Sequence, residues 1–336
     1  MLKKFIHQFA LAIILFAFAA QASCEIERRA VLDIGSGGTK VAIADVDNSS
    51  NQIMDIIFEN SFSVPYQASL DRSYDGTFDE ETKFLGLETF EKIKEITLQY
   101  EVQKITALAT SAFRKANNAN DFINKVFLST GIHIRIIPQR EEGEIAFNSA
   151  LATGNFDPNQ LLVWDIGTGS MQMTVVNQNH DFTVYMGEHM GSVAFKSHII
   201  DVIQEKEEDS SSNPISEEEL KKADSYARAF ARKAYPIIKE KINNSASIVG
   251  IGRLFYHSVR PLAAIDGVIT RKGLRNYIES ALNKSDEDLA SPYADLDVTN
   301  CILTLAVMKA LHIHEILPIE TSATRGILVT ASYWNE

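Results

Sequence analysis

The sequence contains little cysteine. Cys24 and Cys301 are the only cysteines among 336 residues, so a disulfide-rich scaffold is excluded. No Cys/His spacing resembles a zinc site. An exported protein could join the two thiols, but two free or buried thiols are the more common outcome.

Positive charge is also scarce. The chain has 32 lysines and arginines against 44 acidic residues, a net charge of −12. Such a surface does not attract polyanions over long range, which argues against nucleic acid as a partner. Any polyanion must therefore be held by a local site, with the help of a metal ion.

Long apolar runs are missing after the N-terminus, so no stable membrane span is expected. The first 22 residues predict a cleaved signal peptide: a charged start at Lys3 and Lys4, an apolar run from Phe9 to Ala20, and the cleavage motif Ala20-Gln21-Ala22. Cleavage moves the net charge to −14 and predicts a periplasmic or secreted protein. A lipoprotein anchored through Cys24 is the less favoured alternative, because Gln21 replaces a branched apolar residue.

Two similar hairpins carry the strongest signal in the chain. Residues 30–46 read AVLDIGSGGTKVAIADV, with Asp33 at the end of an apolar strand. Residues 161–176 read LLVWDIGTGSMQMTVV, with Asp165 placed alike 132 residues later. Backbone N–H groups at such turns bind anions, and the two aspartates could hold hydrated Mg²⁺ or another divalent cation between phosphates and protein.

No helix follows the glycines in either hairpin. A Walker loop and a dinucleotide-binding loop both require that helix, so both are excluded. An ordinary hairpin turn explains one such motif, but it explains the matched pair less well.

Strands and helices alternate along the chain, which indicates an α/β fold. The loose repeat of this pattern in the second half predicts two like domains with a cleft between them. The predicted strands are 29–34, 39–46, 53–63, 104–110, 132–137, 161–166, 171–177, 182–187, 247–250 and 315–318. The predicted helices are 80–101, 112–130, 140–153, 191–204 and 216–242, followed by mainly helical sequence to 312 and a final helix.

Five motifs occur in this order along the chain: DIGS at 33–36, ATSAFRKAN at 109–117, REEGE at 140–144, DIGTGS at 165–170 and MGEHMGSVA at 186–194. A sixth motif, ATRGIL, lies at 323–328. From about residue 29 to 332 the chain resembles the exopolyphosphatase / guanosine pentaphosphate phosphohydrolase family (Ppx/GppA), in its short two-domain form, within the actin–hexokinase–Hsp70 superfamily. The resemblance implies two actin-like (ribonuclease H-like) domains with a central interdomain cleft, formed by residues 25–139 plus 318–336 and by residues 140–317.

The resemblance implies a role for each matching residue. Glu142 matches the glutamate that orients or deprotonates the attacking water, and Arg114 matches a phosphate-binding arginine. The implied phosphate-binding residues are Asp33, Gly35, Ser36, Gly37, Gly38, Thr39, Lys40, Thr110, Ser111, Gly167, Thr168, Gly169 and Ser170. The implied metal site consists of Asp33, Asp165 and Gln172.

Three departures from the family pattern affect metal and substrate. Gln172 stands where the family has a glutamate, so metal affinity should fall. Ser36-Gly37-Gly38 with Lys40 replaces Ser-Asn-Ser with an arginine, and Gly250-Ile-Gly252-Arg253 replaces a Gly-Gly-Thr. His312 and His314 are interpreted as structural, and His189, within the motif at 186–194, is assigned no role.

The leading hypothesis is an exported phosphoanhydride hydrolase that trims inorganic polyphosphate, with guanosine pentaphosphate or another phosphorylated nucleotide less favoured. A non-catalytic polyphosphate- or nucleotide-binding protein is the alternative, and a sugar or acid kinase ranks last. A homodimer is compatible with the sequence.

Overall fold

The computed structural model describes residues 26–207, 210–244 and 246–335. It contains two β-sheets flanked by helices, which confirms the predicted α/β class. The predicted signal peptide and Cys24 lie outside the described residues. Cys301 is a buried free thiol. No helix in the described ranges is long and apolar enough to cross a membrane.

The first sheet has five strands in the order β3-β2-β1-β4-β5. β1 and β2 form an antiparallel hairpin in which Asp33 faces Lys40, and β1 runs parallel to β4. Apolar residues are continuous in β1 and β2, because both faces of the sheet are covered. The strands are β1 (Ile26–Gly35), β2 (Gly38–Asp47), β3 (Gln52–Ser63), β4 (Lys104–Ala109) and β5 (Ile134–Ile136).

The second sheet repeats this plan. Its order is β10-β11-β12-β9-β6-β7-β8, so β8-β7-β6-β9-β12 corresponds to the whole first sheet. Asp165 faces Gln172 across the β6–β7 hairpin, and β6 runs parallel to β9. The strands are β6 (Leu161–Ile166), β7 (Met171–Val176), β8 (Phe182–Gly187), β9 (Ser247–Ile251), β10 (Ala264–Ile265), β11 (Val268–Thr270) and β12 (Glu315–Pro318).

Helices cover both sheets. Local capping explains several of their starts: the Asp79 carboxylate accepts from the Thr82 N–H at 2.7 Å, and Ser216 forms a reciprocal capping box with Glu219. The helices are α1 (Tyr66–Asp71), α2 (Glu80–Gln99), α3 (Ser111–Lys115), α4 (Ala119–Thr130), α5 (Gln139–Thr153), α6 (Ser192–His198), α7 (Glu217–Ala231), α8 (Pro236–Asn243), α9 (Arg260–Ala263), α10 (Arg271–Ala281), α11 (Asp286–Leu289), α12 (Ala294–Ala310) and α13 (Ala323–Val329).

Helix α5 joins the two lobes. Ile145 packs in the cluster that covers one face of the first sheet, whereas Ala146 and Phe147 pack against the second sheet. α13 crosses α5 so closely that a Cβ on Gly326 would lie 2.1 Å from the Ile145 carbonyl oxygen. The Gly326 N–H donates to Ser149 Oγ at 2.9 Å. The predicted boundary at residue 140 therefore falls at the start of a helix shared by both lobes.

Several predicted helices are wrong in extent. The helix predicted at 112–130 is two helices, because Asn118 between them exchanges hydrogen bonds with the Phe78 backbone. The helix predicted at 216–242 is broken before Pro236, which starts α8 because proline suits a first helical position. The helix predicted at 191–204, by contrast, forms over almost that whole extent, as α6 followed by a π-helical turn, Ile199–Gln204.

The sequence patterns did not predict two elements. Residues 66–71, which lie between the predicted strand 53–63 and the predicted helix 80–101, form α1. The short β10–β11 hairpin lies in sequence predicted to be helical, and it turns at Asp266 and Gly267, whose φ angles are 52° and 85°. Glycine adopts such angles at little cost, which makes a tight turn favourable there.

Candidate active site

The tips of the two predicted phosphate hairpins meet between the lobes. A Cβ placed on Gly169 would lie 3.2 Å from Ser111 Oγ and 3.4 Å from Ser36 Oγ, and one on Gly37 would lie 3.6 Å from Thr168 Oγ1. The two turns and the end of β4 therefore surround one small volume. Backbone N–H groups from two turns can face a single anion there.

A cleft of about 340 Å³ opens at this meeting point. That volume is typical of a site for a small ligand. The predicted site residues that line it are Asp33, Gly35, Ser36, Gly37, Gly38, Lys40, Thr110, Ser111, Glu142, Asp165, Gly167, Thr168, Gly169 and Ser170.

Three predicted residues do not line the cleft. Thr39 is completely buried behind the first hairpin. Gln172 is 1% exposed, and its amide donates to Ser170 Oγ at 3.2 Å. Arg114 reaches the site through its contact with Glu142.

Glu142 lies in the first turn of α5, at the junction of the lobes. Its helix approaches β8 closely because the next residue is Gly143, where a Cβ would meet the Val184 side chain at 2.5 Å. The Glu142 carboxylate accepts a hydrogen bond from Arg114. Glu142 lines the same cleft as the two hairpin tips.

The environment of Glu142 favours its neutral form. Burial raises the pKa of this carboxyl to about 7, Arg114 counteracts the shift, and the charges of Asp165 and Asp33 add to it. A carboxyl group with a pKa near neutrality can accept a proton at physiological pH and release it again. The site therefore contains a group suited to general base chemistry.

Arg114 extends from α3 and is held by several acceptors. Its Nη1 donates to the Ile137 carbonyl at 2.9 Å and to Glu142. Its Nε lies 3.9 Å from Glu188 Oε1 of the other lobe. Nε and Nη2 are buried and have no hydrogen-bond partner among the residues that the structure describes. These two nitrogens can therefore donate to phosphate oxygens.

Two aspartates and one lysine share the floor of the cleft. Lys40 Nζ lies 3.5 Å from Asp33 Oδ2. Burial raises the pKa of Asp165 to about 6, with Lys40 opposing the shift and Asp33 adding to it. The acids thus repel each other, and a bound cation would relieve that repulsion.

The carboxylates of the cleft suit a divalent cation whose remaining ligands are water and substrate oxygens. Mg²⁺ is usually bound by one or two carboxylates plus phosphate oxygens, and Asp33 and Asp165 supply two carboxylates from opposite lobes. Within the described ranges, no group of three or more His, Cys, Asp or Glu residues forms a protein-only metal cage. Asp33 and Asp165 would hold the ion, with Gln172 beside Asp165 on the paired strand.

Gly191 packs against the turn of the second hairpin, a role that the sequence analysis did not assign to it. Gly191 touches the turn so closely that a Cβ would lie 2.4 Å from the Ser170 nitrogen. The next two residues donate backbone N–H groups to the carbonyls of Gly167 and Thr168, each at 2.9 Å. The signal was present in the motif at 186–194, where a glycine precedes a helix.

Behind this contact lies a buried hydrogen-bond network. Ser192 Oγ donates to Asn300 Oδ1 at 2.6 Å, and Asn300 Nδ2 donates to Ser258 Oγ at 3.1 Å. Ser258 in turn donates to Asp297 at 2.6 Å. The network fixes the start of α6 against α12. His312 and His314, interpreted as structural, do not line the cleft, and neither does His189.

The family model for the Ppx/GppA phosphatase family matches residues 42–331. A bifunctional 3-dehydroquinate synthase/phosphatase from Fusobacterium nucleatum subsp. nucleatum is 31% identical over 159 residues, which cover 44% of this chain and 23% of that protein. Exopolyphosphatase 1 from Mycobacterium tuberculosis is 22% identical over 147 residues, which cover 44% of this chain and 42% of that protein. Each match spans less than half of the relative's length.

The crystal structure of a Ppx/GppA family member from Aquifex aeolicus is similar over almost the whole fold. The TM-score is 0.71 at 18% identity, and the alignment covers 91% of this chain and 97% of that chain. At this identity the likeness shows a common fold. It agrees with the two-lobed α/β architecture predicted from the sequence.

Proposed function

The chain belongs to the Ppx/GppA phosphatase family, and from this premise we propose that it hydrolyses phosphoanhydride bonds, releasing terminal phosphate from inorganic polyphosphate. One observation carries the proposal. Glu142, with a pKa of about 7, faces a cleft formed by two phosphate hairpins and is paired with Arg114. A positioned base and anion-binding turns are what water attack on a phosphoryl group requires.

In the proposed reaction the ionised Glu142 accepts a proton from a water molecule. The water oxygen forms a bond to the terminal phosphorus while the bridging P–O bond breaks, giving orthophosphate and a chain shorter by one unit. Lys40 and Arg114 supply positive charge beside the transferring group. A divalent cation at Asp33 and Asp165 would add further charge neutralisation when bound.

Phosphate release from a panel of substrates tests the proposal. Purified protein is incubated with polyphosphates, guanosine pentaphosphate and ATP, with and without Mg²⁺, and orthophosphate is measured colorimetrically. We expect release from polyphosphate that depends on Mg²⁺. Release from none of the substrates, with polyphosphate still bound, would contradict hydrolysis and favour the binding-protein alternative.

The binding-protein alternative rests on Gln172. A neutral amide lies beside Asp165 where the family resemblance implies a glutamate. Fewer ligand charges weaken the binding of a hard cation. A kinase remains the third hypothesis, suggested by residues 37–40, and ATP in the panel with a sugar acceptor tests it.

Gln172→Glu should lower the Mg²⁺ concentration for half-maximal activity, because a third carboxylate would sit beside Asp165. Without Mg²⁺ the variant should be less stable than wild type, since the new charge is buried next to another acid. A Mg²⁺ titration of activity and of melting temperature measures both effects.

Gln178→Glu is the matched control, because Gln178 is an exposed residue outside the cleft lining. It adds the same charge and should leave the Mg²⁺ titration unchanged. Superimposable titrations of wild type and Gln172→Glu would remove Gln172 from the metal site.

We also propose that the protein acts outside the cytoplasm after removal of residues 1–22. The charged start, short apolar run and Ala20-Gln21-Ala22 motif support this. Mass spectrometry of the exported protein should find Ser23 as its first residue. Full-length protein confined to the cytosolic fraction would contradict export, and a lipid on Cys24 would support the lipoprotein alternative.

A further inference from the structure

Two arginines and a histidine continue from the lining of the cleft. Arg253, His257 and Arg260 lie just before, within and just after a π-helical turn, Leu254–Val259, which leads into α9. All three are exposed. We refer to these three residues as the 253–260 face.

The 253–260 face is continuous with the candidate active site. Arg253 and His257 line the cleft that contains the two hairpins. His257 and Arg260 line an adjoining surface depression. The face begins immediately after Gly252, where φ is 90° and a Cβ would lie 3.0 Å from Asp165 Oδ1. It therefore starts beside the phosphate floor and continues into the adjoining depression.

The two arginines of this face contact tyrosine side chains. Arg253 donates to the Tyr293 hydroxyl at 3.4 Å, and the Arg260 guanidinium lies 4.4 Å from the centre of the Tyr256 ring. Within the described ranges, neither arginine forms an ion pair with a carboxylate. Asp266, in the β10–β11 turn, is the acid closest in sequence to Arg260.

The two arginines place positive charge beside the cleft in a chain whose net charge is −12. Aromatic support orders an arginine while leaving most of its N–H donors free for another anion. A single terminal phosphate at the hairpins does not extend along this face. A ligand with regularly repeated negative charge does.

We propose that the 253–260 face is a second anion subsite, which binds phosphate units of a long polyphosphate chain beyond the bond that is cleaved. This inference rests on the proposed function, because it places the reacting end of the chain at the hairpins. It gives the protein a preference for long chains over short ones. The hairpins bind the terminal phosphate units of any chain, whereas the 253–260 face adds affinity only for chains long enough to reach it.

The test compares wild type with Arg253→Gln/Arg260→Gln. The KM is measured for a long polyphosphate of defined average length and for tripolyphosphate, which is too short to span both subsites. We expect the ratio of the KM for the long chain to the KM for tripolyphosphate to rise about tenfold, the combined effect of two exposed charge contacts. High salt should reduce the difference between the proteins, because it screens exposed charges.

Lys221→Gln/Arg232→Gln is the charge-matched control. Both residues are exposed and outside the cleft lining: Lys221 lies within α7, and Arg232 follows its last residue. The control removes the same two positive charges and should leave both KM values at the wild-type level. An equal effect of the control would assign the change to net charge and overturn the proposed subsite.

Equilibrium binding separates this inference from the proposed function. If wild type releases no phosphate but binds long polyphosphate more tightly than Arg253→Gln/Arg260→Gln does, hydrolysis fails and the subsite stands. If the KM ratio and the binding constants do not change in the double variant, the subsite is wrong. A loss confined to nucleotide substrates would likewise overturn it, since the face would then recognise the organic part of a nucleotide.

Discussion

Glu142→Gln should reduce phosphate release by about 10²–10⁴-fold, the usual contribution of a positioned general base. The amide keeps the size of the side chain but cannot accept a proton from water. Binding of polyphosphate should change little, because the hairpins, Lys40 and Arg114 remain. Single-turnover phosphate release and equilibrium binding measure the two effects separately.

The same variant should alter the dependence of stability on pH. The pKa of Glu142 is raised in the folded protein to about 7, above its value of 4.5 in the unfolded chain. The folded state therefore binds this proton more tightly, and wild type loses free energy of unfolding as pH rises from about 4.5 to about 7. Glu142→Gln has no such titrating group at this position, so its free energy of unfolding should depend less on pH between about 4.5 and about 7.

Glu144→Gln is the matched control for Glu142→Gln. Glu144 lies on the same helix and forms a surface ion pair with Arg140 at 2.9 Å. Removing that pair should cost at most about 1 kcal/mol and leave turnover unchanged. Wild-type turnover in Glu142→Gln would show that the proton acceptor has been wrongly assigned.

Arg114→Gln should lower kcat/KM by about 10²–10³-fold, the range found when one donor to a developing charge is removed. Two effects combine. The variant loses a guanidinium beside the transferring phosphate, and it loses the positive charge that opposes the rise in the pKa of Glu142. At pH 7 a smaller fraction of Glu142 is then ionised.

A pH profile distinguishes these two effects. In wild type kcat/KM should rise with pH through a midpoint of about 7, as Glu142 ionises. In Arg114→Gln this midpoint should move to higher pH, so that alkaline conditions recover part of the lost activity. Arg140→Gln, an exposed change near the same helix start, should keep the wild-type midpoint. An unmoved midpoint in Arg114→Gln would contradict the role of the Arg114–Glu142 pair.

The two-lobed fold could be predicted because the repeated hairpin is recognisable from residues close together in sequence. An apolar strand, an aspartate and a glycine-rich turn recur around Asp33 and Asp165, and both hairpins form as expected. The helix breaks were harder to predict because their causes are distant in sequence. Asn118 ends a helix by bonding to Phe78, which lies 40 residues away.

In the candidate site, too, local features could be predicted from the sequence and contacts between distant residues could not. Residues on the hairpins could be placed from the pattern alone, because a tight turn fixes its own geometry. The contact of Arg114 with Glu142 joins residues 28 apart and depends on how α3 and α5 pack. The tight fit of Gly191 on the second turn is likewise a property of tertiary structure, which hydrophobic periodicity does not encode.

The crossing of α5 and α13 also bears on where the proposed proton acceptor is held. No methyl group fits between Gly326 and the Ile145 carbonyl, so a larger residue at position 326 would push the two helices apart. Glu142 lies three residues from Ile145, about 4.5 Å along the helix axis. The proposed proton acceptor is therefore anchored within one helical turn of a contact that tolerates no side chain, in the helix shared by both lobes.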